Sequence, residues 1–223
     1  MDKTLNQETY TKLKQDILSF ELKPGEQVSA AKIAERYHVS RTPAREALVR
    51  LETEGMVDIY PQSKTVISKI NAHRIRQEWF IRRMLELGMA EAFIANVTDQ
   101  DIELMRSYNA VLASFVNRPA TPERAFLYLA ADNDFHAVSY MVAGERLSAT
   151  IIDNMMAHYN RLRLLIDLEH VFKTRTLTDH ERLLETVERR DTEAYKKALS
   201  QHLGHIISDM QEMNEKYPDY FEK

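Results

Sequence analysis

Residues 38–57 read HVSRTPAREALVRLETEGMV, and the fold turns on how this stretch is parsed. Ala44, Ala47, Leu48 and Leu51 recur at i, i+3, i+4 and i+7, the spacing of one apolar helical face. Ser40 or Thr42 can cap the start. Pro43 falls in the first turn, where backbone N–H groups have no intrahelical acceptor to lose. Gly55 ends the helix as a glycine just past a C-cap does. Arg41 and Arg45 stand four residues apart on another face, away from the leucines.

The flanks complete a pattern. Upstream, residues 6–20 carry Tyr10, Leu13, Ile17 and Leu18 at helical spacing. LKPGEQ (22–27) then stops that helix with Pro24-Gly25 turn chemistry. Ser29 caps a short second helix, AAKIAERY, which buries Ile33, Ala34 and Tyr37, and the chain breaks at His38-Val39. Downstream come VDIY, the polar tip PQSK, and TVIS, which read as a small hairpin. Helix, helix, turn, helix, hairpin is the order of a winged helix-turn-helix. In that architecture the third helix enters the major groove of DNA and its N-terminal side chains meet bases and phosphates. Arg41 and Arg45 would point there, where a guanidinium can pair bidentately with guanine or phosphate. The plainer reading of an arginine pair at i, i+4 is a solvated helix face. Here cap, proline, apolar stripe, glycine and hairpin agree on the first reading.

Composition is compatible with this. The 223 residues are 44% hydrophobic and 29% charged, as in an ordinary globular protein, and five glycines and six prolines favour helices over a turn-rich β fold. Without cysteine there are no disulfides or thiolate metal sites, and a cytoplasmic protein is the simplest reading. No apolar run reaches the roughly 18 residues of a membrane span, and the first ten residues lack the apolar core of a signal peptide. The net charge of −4 is uneven: residues 1–70 hold 11 basic and 10 acidic side chains, which leaves −5 for the rest. A local basic face on an acidic protein suits a DNA reader whose other domain does something else.

The stretch PGEQVSAAKIAERYHVSRTPAREALVRLETEGMV resembles the N-terminal domain of the GntR family of bacterial transcription regulators, with Ser40-Arg41-Thr42-Pro43-Ala44-Arg45-Glu46-Ala47-Leu48 as its specific core. The resemblance implies that Arg41, Thr42 and Arg45 contact DNA, with Ser40 and Arg50 as candidate phosphate partners. Two positions depart from the family pattern. Ala31-Lys32 replaces an early arginine of the second helix, which makes Lys32 the substitute. The wing tip is Pro61-Gln62-Ser63-Lys64 where glycine is usual, which leaves Lys64 as the phosphate contact there.

From Asn71, a helix cap and the expected domain boundary, the pattern is helical to the end. The segments expected are 71–96, 99–117, 122–143, 145–169, 178–190 and 192–214, and residues 215–223 read as a loosely held tail. An all-helical bundle of this length can bury its own core. Asp132 and His136 lie at i, i+4, so both leave one helix face. His180 and His202 are equidistant from Asp191, which reads as an N-cap in the break RRDTEA; across an antiparallel hairpin they would be level. Together these four make an N₃O set suited to zinc, nickel or manganese. Asp134, at i, i+2 from His136, points elsewhere. His38, His73, His158, His170 and His205 read as ordinary surface or core residues.

This second region resembles the FCD ligand-binding domain of the FadR subfamily of GntR regulators, through IRRMLE (81–86), DNDFH (132–136), DHERLLETVERRDTEA (179–194) and His202. The resemblance implies a divalent metal on Asp132, His136, His180 and His202, most simply zinc. It also implies a small organic acid effector whose carboxylate meets the metal and Arg82. The alternative for Arg82 is a surface pair with Glu86. Asn133, Asn160, Arg161 and Arg163 are further candidates for the pocket wall, and spacing does not select among them. AGERL (143–147) departs from the asparagine often found near there. The function expected is a homodimeric, metabolite-responsive repressor binding a palindromic operator, with the domain contact near 69–80, including Trp79 and Phe80, as the place of coupling. Two competing readings are a regulator for which the ion itself is the signal, and a metal-dependent hydrolase.

Overall fold

In the computed structural model, residues 2–169 and 174–222 are described, with side chains from Leu5 on; the histidine at position 170 falls outside them. Helix α1 (Asp2–Leu18) packs on α3, and α2 (Ala30–Tyr37) precedes α3 (Arg41–Thr53). Leu13, Ile17, Ile33, Ala44, Ala47, Leu48 and Leu51 form one buried core, so the apolar stripes of three helices meet as their spacing required. The end of α3 is a Schellman motif. Gly55 sits at φ +75°, its N–H reaches the Glu52 carbonyl, and the Met56 N–H reaches the Leu51 carbonyl. Strands β2 (Val57–Tyr60) and β3 (Lys64–Ile67) form the hairpin. Its tip places Gln62 at φ +57°, the backbone region that favours glycine.

Four expectations need correction. The stretch read only as a turn contributes a third strand, β1 (Gln27–Val28), which pairs antiparallel with β3 and gives the order β1-β3-β2. Its two residues are too few for periodicity to register, and only pairing defines it. The helix expected over 71–96 breaks at Met89 into α4 (Ala72–Gly88) and α5 (Ala90–Asn96), just after a glycine that weakens the helix. The helix expected over 145–169 breaks at Met156 into α8 (Arg146–Met155) and α9 (Ala157–Glu169). Here the cause is tertiary: the Glu78 carboxylate of α4 accepts the Tyr159 N–H at 2.8 Å, supplying the new helix start with an acceptor from another element. The tail is not loose. Pro218–Tyr220 form a 3₁₀ turn, Phe221 is buried, and Ile70 and Phe221 form a parallel bridge with two backbone hydrogen bonds.

The remaining helices are α6 (Asp99–Phe115), α7 (Pro122–Val142), α10 (Arg175–Glu188) and α11 (Thr192–Lys216). The sequence-predicted caps Ser29, Asn71 and Asp191 each accept a backbone N–H three residues on. The bundle core lies between α5, α6, α7, α10 and α11, centred on Phe93, Met105, Phe135, Leu183, Val187 and Leu199. Thus α7, α10 and α11 are held side by side, and the polar residues on their inner faces are brought to one level.

Candidate metal centre and nucleic-acid face

The two places where polar residues were expected to gather have opposite environments. On the first, Arg41, Thr42 and Arg45 are all exposed on the outer side of α3. Neither arginine has a hydrogen-bond or ion-pair partner among the described residues. Ser40 is the N-cap residue by backbone but its side chain makes no cap bond. Lys32 and Lys64 are exposed, Lys64 lying over the Tyr60 ring at 5.4 Å. Arg50 is placed differently. Its guanidinium stacks over Tyr10 at 3.6 Å and donates to Gln7 at 2.8 Å, so it is engaged with α1.

The second place is buried. Asp132, His136, His180 and His202 each offer one ligand atom, and these atoms lie within 4.8 Å of one another. His136 Nε2 and His202 Nε2 are 3.1 Å apart, and His180 Nε2 is 3.5 Å from Asp132 Oδ1. Both distances are close to the edge of a tetrahedron with arms of about 2 Å, which is about 3.3 Å. The i, i+4 spacing on α7 and the hairpin symmetry of α10 and α11 therefore converge on one point. Asp134 is exposed and outside the cluster.

The residues fit a divalent ion on their own chemistry. His180 is fully buried, stacked on Phe135, and neither of its ring nitrogens has a hydrogen-bond partner. A buried imidazole lone pair without a donor is costly, and a cation among these side chains is the kind of group that would take it. Burial holds the His180 pKa well below the ordinary value. Burial also lowers that of His136. Both are thus neutral, the form that ligates. Two rings are braced from behind by carboxylates: Glu86 Oε2 lies 2.7 Å from His136 Nδ1, and Asp179 Oδ2 lies 3.4 Å from His202 Nδ1. Carboxylate–histidine pairs of this kind fix tautomer and ring orientation so that the far nitrogen is free to ligate. Asp132 is held by Arg163 through its other oxygen, and the Arg163 charge depresses its pKa against the cost of burial.

Arg82 is not on the surface. It is 4% exposed, donates to Glu86 at 2.7 Å and lies near the face of Tyr159. The pair with Glu86 is real but buried, which raises what is lost if either member is removed. Arg82 borders two cavities. One, of about 90 Å³, adjoins Asp132 and His202 and is ringed by Arg163, Arg175, Asp167 and Asp209. The other, of about 120 Å³, adjoins His136 and is lined by Asn133, Tyr140, Asn160 and the apolar Ile152 and Met156. So the pocket candidates divide: Arg163 faces the first cavity, and Asn133 and Asn160 face the second. Arg161 faces neither and is turned toward Ser68, just past β3.

Sequence reasoning missed Tyr140, whose buried hydroxyl has no partner, and the bracing role of Asp179, which sits within the motif that supplied His180. Of the contact expected near 69–80, Ile70 and Asn71 take part, pairing with Phe221 and His158, whereas Trp79 is engaged with α11 through the Leu203 carbonyl and Phe80 is 55% exposed. Arg161 of α9 adds a bond to Ser68 that the sequence did not indicate.

Comparison with known proteins follows the same division. Residues 5–67 match the bacterial regulatory proteins of the gntR family, and residues 79–205 match the FCD domain. The HTH-type transcriptional repressor RspR of Escherichia coli K12 is 26% identical over 218 residues, covering 97% of this chain and 93% of that protein. An HTH-type transcriptional regulator in an unstable DNA locus of Streptomyces ambofaciens is 26% identical over 219 residues, covering 98% and 90%. The solved structure of E. coli McbR/YncC superposes with a TM-score of 0.72 at 20% identity, covering 94% of this chain and 99% of that one, a likeness of fold.

Proposed function

This chain belongs to the gntR family of bacterial regulatory proteins and carries an FCD domain, so it is a DNA-binding transcription regulator and not an enzyme, and we propose that it is a metabolite-responsive repressor of the FadR type whose second domain holds a divalent ion and a small carboxylic acid. The first domain spans residues 1–70 and the second 71–223. As a cytoplasmic homodimer it places two α3 helices in successive major grooves of a palindromic operator, about 34 Å apart. Arg41, Thr42 and Arg45 read bases and phosphates, and Ser40, Lys32 and Lys64 add phosphate contacts. Their exposure supports this, as does the lack of a partner for the two arginines among the described residues. Arg50 holds α1 against α3.

The observation that carries the second half is the buried, partnerless His180 within a four-donor cluster. Asp132, His136, His180 and His202 hold the ion, with zinc the simplest occupant and nickel or manganese accepted by the same donors. A bound ion supplies open coordination positions for an anionic oxygen. Arg82 stands at the same site to pair with the acid, and Arg163 fixes Asp132 in the orientation the cluster needs. The RspR relative is described as a repressor, which favours that sign of regulation.

The test is a zinc titration of chelator-stripped protein, followed by thermal shift with small carboxylic acids. One ion per chain is expected, with stabilisation of several degrees that His180→Ala abolishes. An acid should then stabilise only the loaded form. Failure of zinc, nickel and manganese all to bind would end the metal reading. If operator affinity follows zinc while no acid has any effect, the ion itself is the signal.

A further inference from the structure

Helix α9 faces two ways. Tyr159 and Arg163, four residues apart, look into the bundle, where Arg163 donates to Asp132 and, at 2.6 Å, to Asn133. His158 and Arg161, three apart, lie on the adjoining face and reach the DNA-binding region. Arg161 is 0% exposed, and one of its nitrogens donates to Ser68 Oγ at 3.0 Å. Ser68 Oγ in turn donates at 2.7 Å to the carbonyl of Gly55, the residue that terminates α3. His158 Nδ1 accepts the Asn71 N–H at 3.2 Å, and its ring lies 3.4 Å from where a Cβ on Gly55 would stand.

The arginine is not fully used. Its Nε and second terminal nitrogen are buried without partners among the described residues, and the acid whose charge acts on it is Asp58 of β2. A buried guanidinium with idle donors is an expensive way to hold two parts together. A leucine there would pack at less cost. What the arginine adds is a directional tie to one oxygen, and idle donors that a second arrangement can satisfy through Asp58.

We infer that α9 is the rigid link between the sensing cluster and the recognition helix, and that Arg161 is its positioning residue, tying α9 through Ser68 to the end of α3. Displacement of Arg163 with Asp132 shifts α9, and Arg161 carries the shift to Gly55 and the β2–β3 hairpin. The tie itself rests only on the contacts above; that the triggering event occurs at Asp132 rests on the metal reading.

The experiment uses the full chain. Operator Kd is measured for zinc-saturated and chelator-stripped protein, with zinc affinity followed separately by indicator competition. In the wild type the two Kd values should differ by about fivefold or more, within the usual range of coupling between sites. In Arg161→Met the ratio should fall below about twofold with zinc affinity unchanged, and Arg161→Lys should restore part of it through the bond to Ser68. Ser68→Ala, which leaves the arginine in place, should lower the ratio in the same direction. A wild-type ratio that survives in Arg161→Met overturns the inference. So does a wild type that binds zinc but shows no ratio at all. If the wild type binds no zinc, the metal reading falls, and hydrogen exchange on stripped protein decides the tie. Arg161→Met must then speed exchange across residues 55–71 by about tenfold over the exposed control Arg76→Met, as expected when a local anchor is lost. Unchanged exchange overturns it.

Discussion

The α3 face and the α7–α10–α11 cluster use the same kinds of residue to opposite ends. Arg41 and Arg45 are exposed with nothing to pair with among the described residues, so their charge is available to a partner and contributes little to folding. Arg82, Glu86, Asp132, His136 and His180 are buried, and the charges of Arg82, Glu86 and Asp132 are each tied to another. Removing a side chain from the first face should cost binding and leave stability alone. Removing one from the cluster should cost stability, because its former partner stays buried and uncompensated. The two regions can therefore be told apart by which measurement moves.

The largest effect expected is from Glu86→Leu. Glu86 is the only acid hydrogen-bonded to both Arg82 and His136 among the described residues, and its loss strands a buried guanidinium. Urea unfolding should show a loss of about 3–5 kcal/mol. A loss below about 1 kcal/mol would mean that the cluster tolerates unpaired charge as a surface does. Next is Arg45→Ala, which should weaken operator binding by about 1–3 kcal/mol per half-site while the unfolding midpoint stays put. Equal affinity for the operator would remove Arg45 from the recognition surface.

The smallest effect sharpens the comparison at the junction between the regions. Burial, with the charges of Arg161 and Arg74, holds the His158 pKa down to about 4. Unfolded, it would titrate near 6.5. The unfolded chain therefore takes up a proton first as pH falls. The stability due to neutral His158 is complete above about pH 6.5 and drains away toward pH 4. Between pH 7 and pH 5 that is about 2 kcal/mol. Stripped His158→Gln should lose correspondingly less over the same interval than stripped wild type. The remaining slope in the variant includes His136 and His180, which shift in the same direction, and Asp167, whose carboxyl burial pushes up to about 8 and which acts the opposite way. Identical slopes would show that His158 is already protonated, or solvated, in the folded protein.

What could be read from the sequence was what local chemistry writes in one place. Pro43 and Gly55 bracket α3 because first-turn sterics and positive φ act on single residues. Asp132 and His136 were legible through helix periodicity, and His180 and His202 through the symmetry of one hairpin. What escaped depends on residues far apart in the chain. The break at Met156 is supported by Glu78, some eighty positions upstream, and β1 exists only through β3. Arg161 and Arg163 are both candidates for the pocket wall, and spacing does not select between them. On a helix their two-residue offset turns Arg161 out of the cavity and toward Ser68. The tail misled for a similar reason: EKYPDYFEK is polar on average, but its aromatic residues find Phe20 and the core beside Ile70.

That last contact has a mechanical meaning. Ile70 lies where the chain enters the helical bundle and Phe221 lies just beyond its last helix, so their bridge clasps the entry and the exit together. Under tension applied at residues 2 and 222, load passes through the DNA-binding region and this short clasp, while the helices between are shielded until it gives way. The clasp is a mechanical fuse for the bundle, and it sits beside Asn71, the residue whose N–H engages His158.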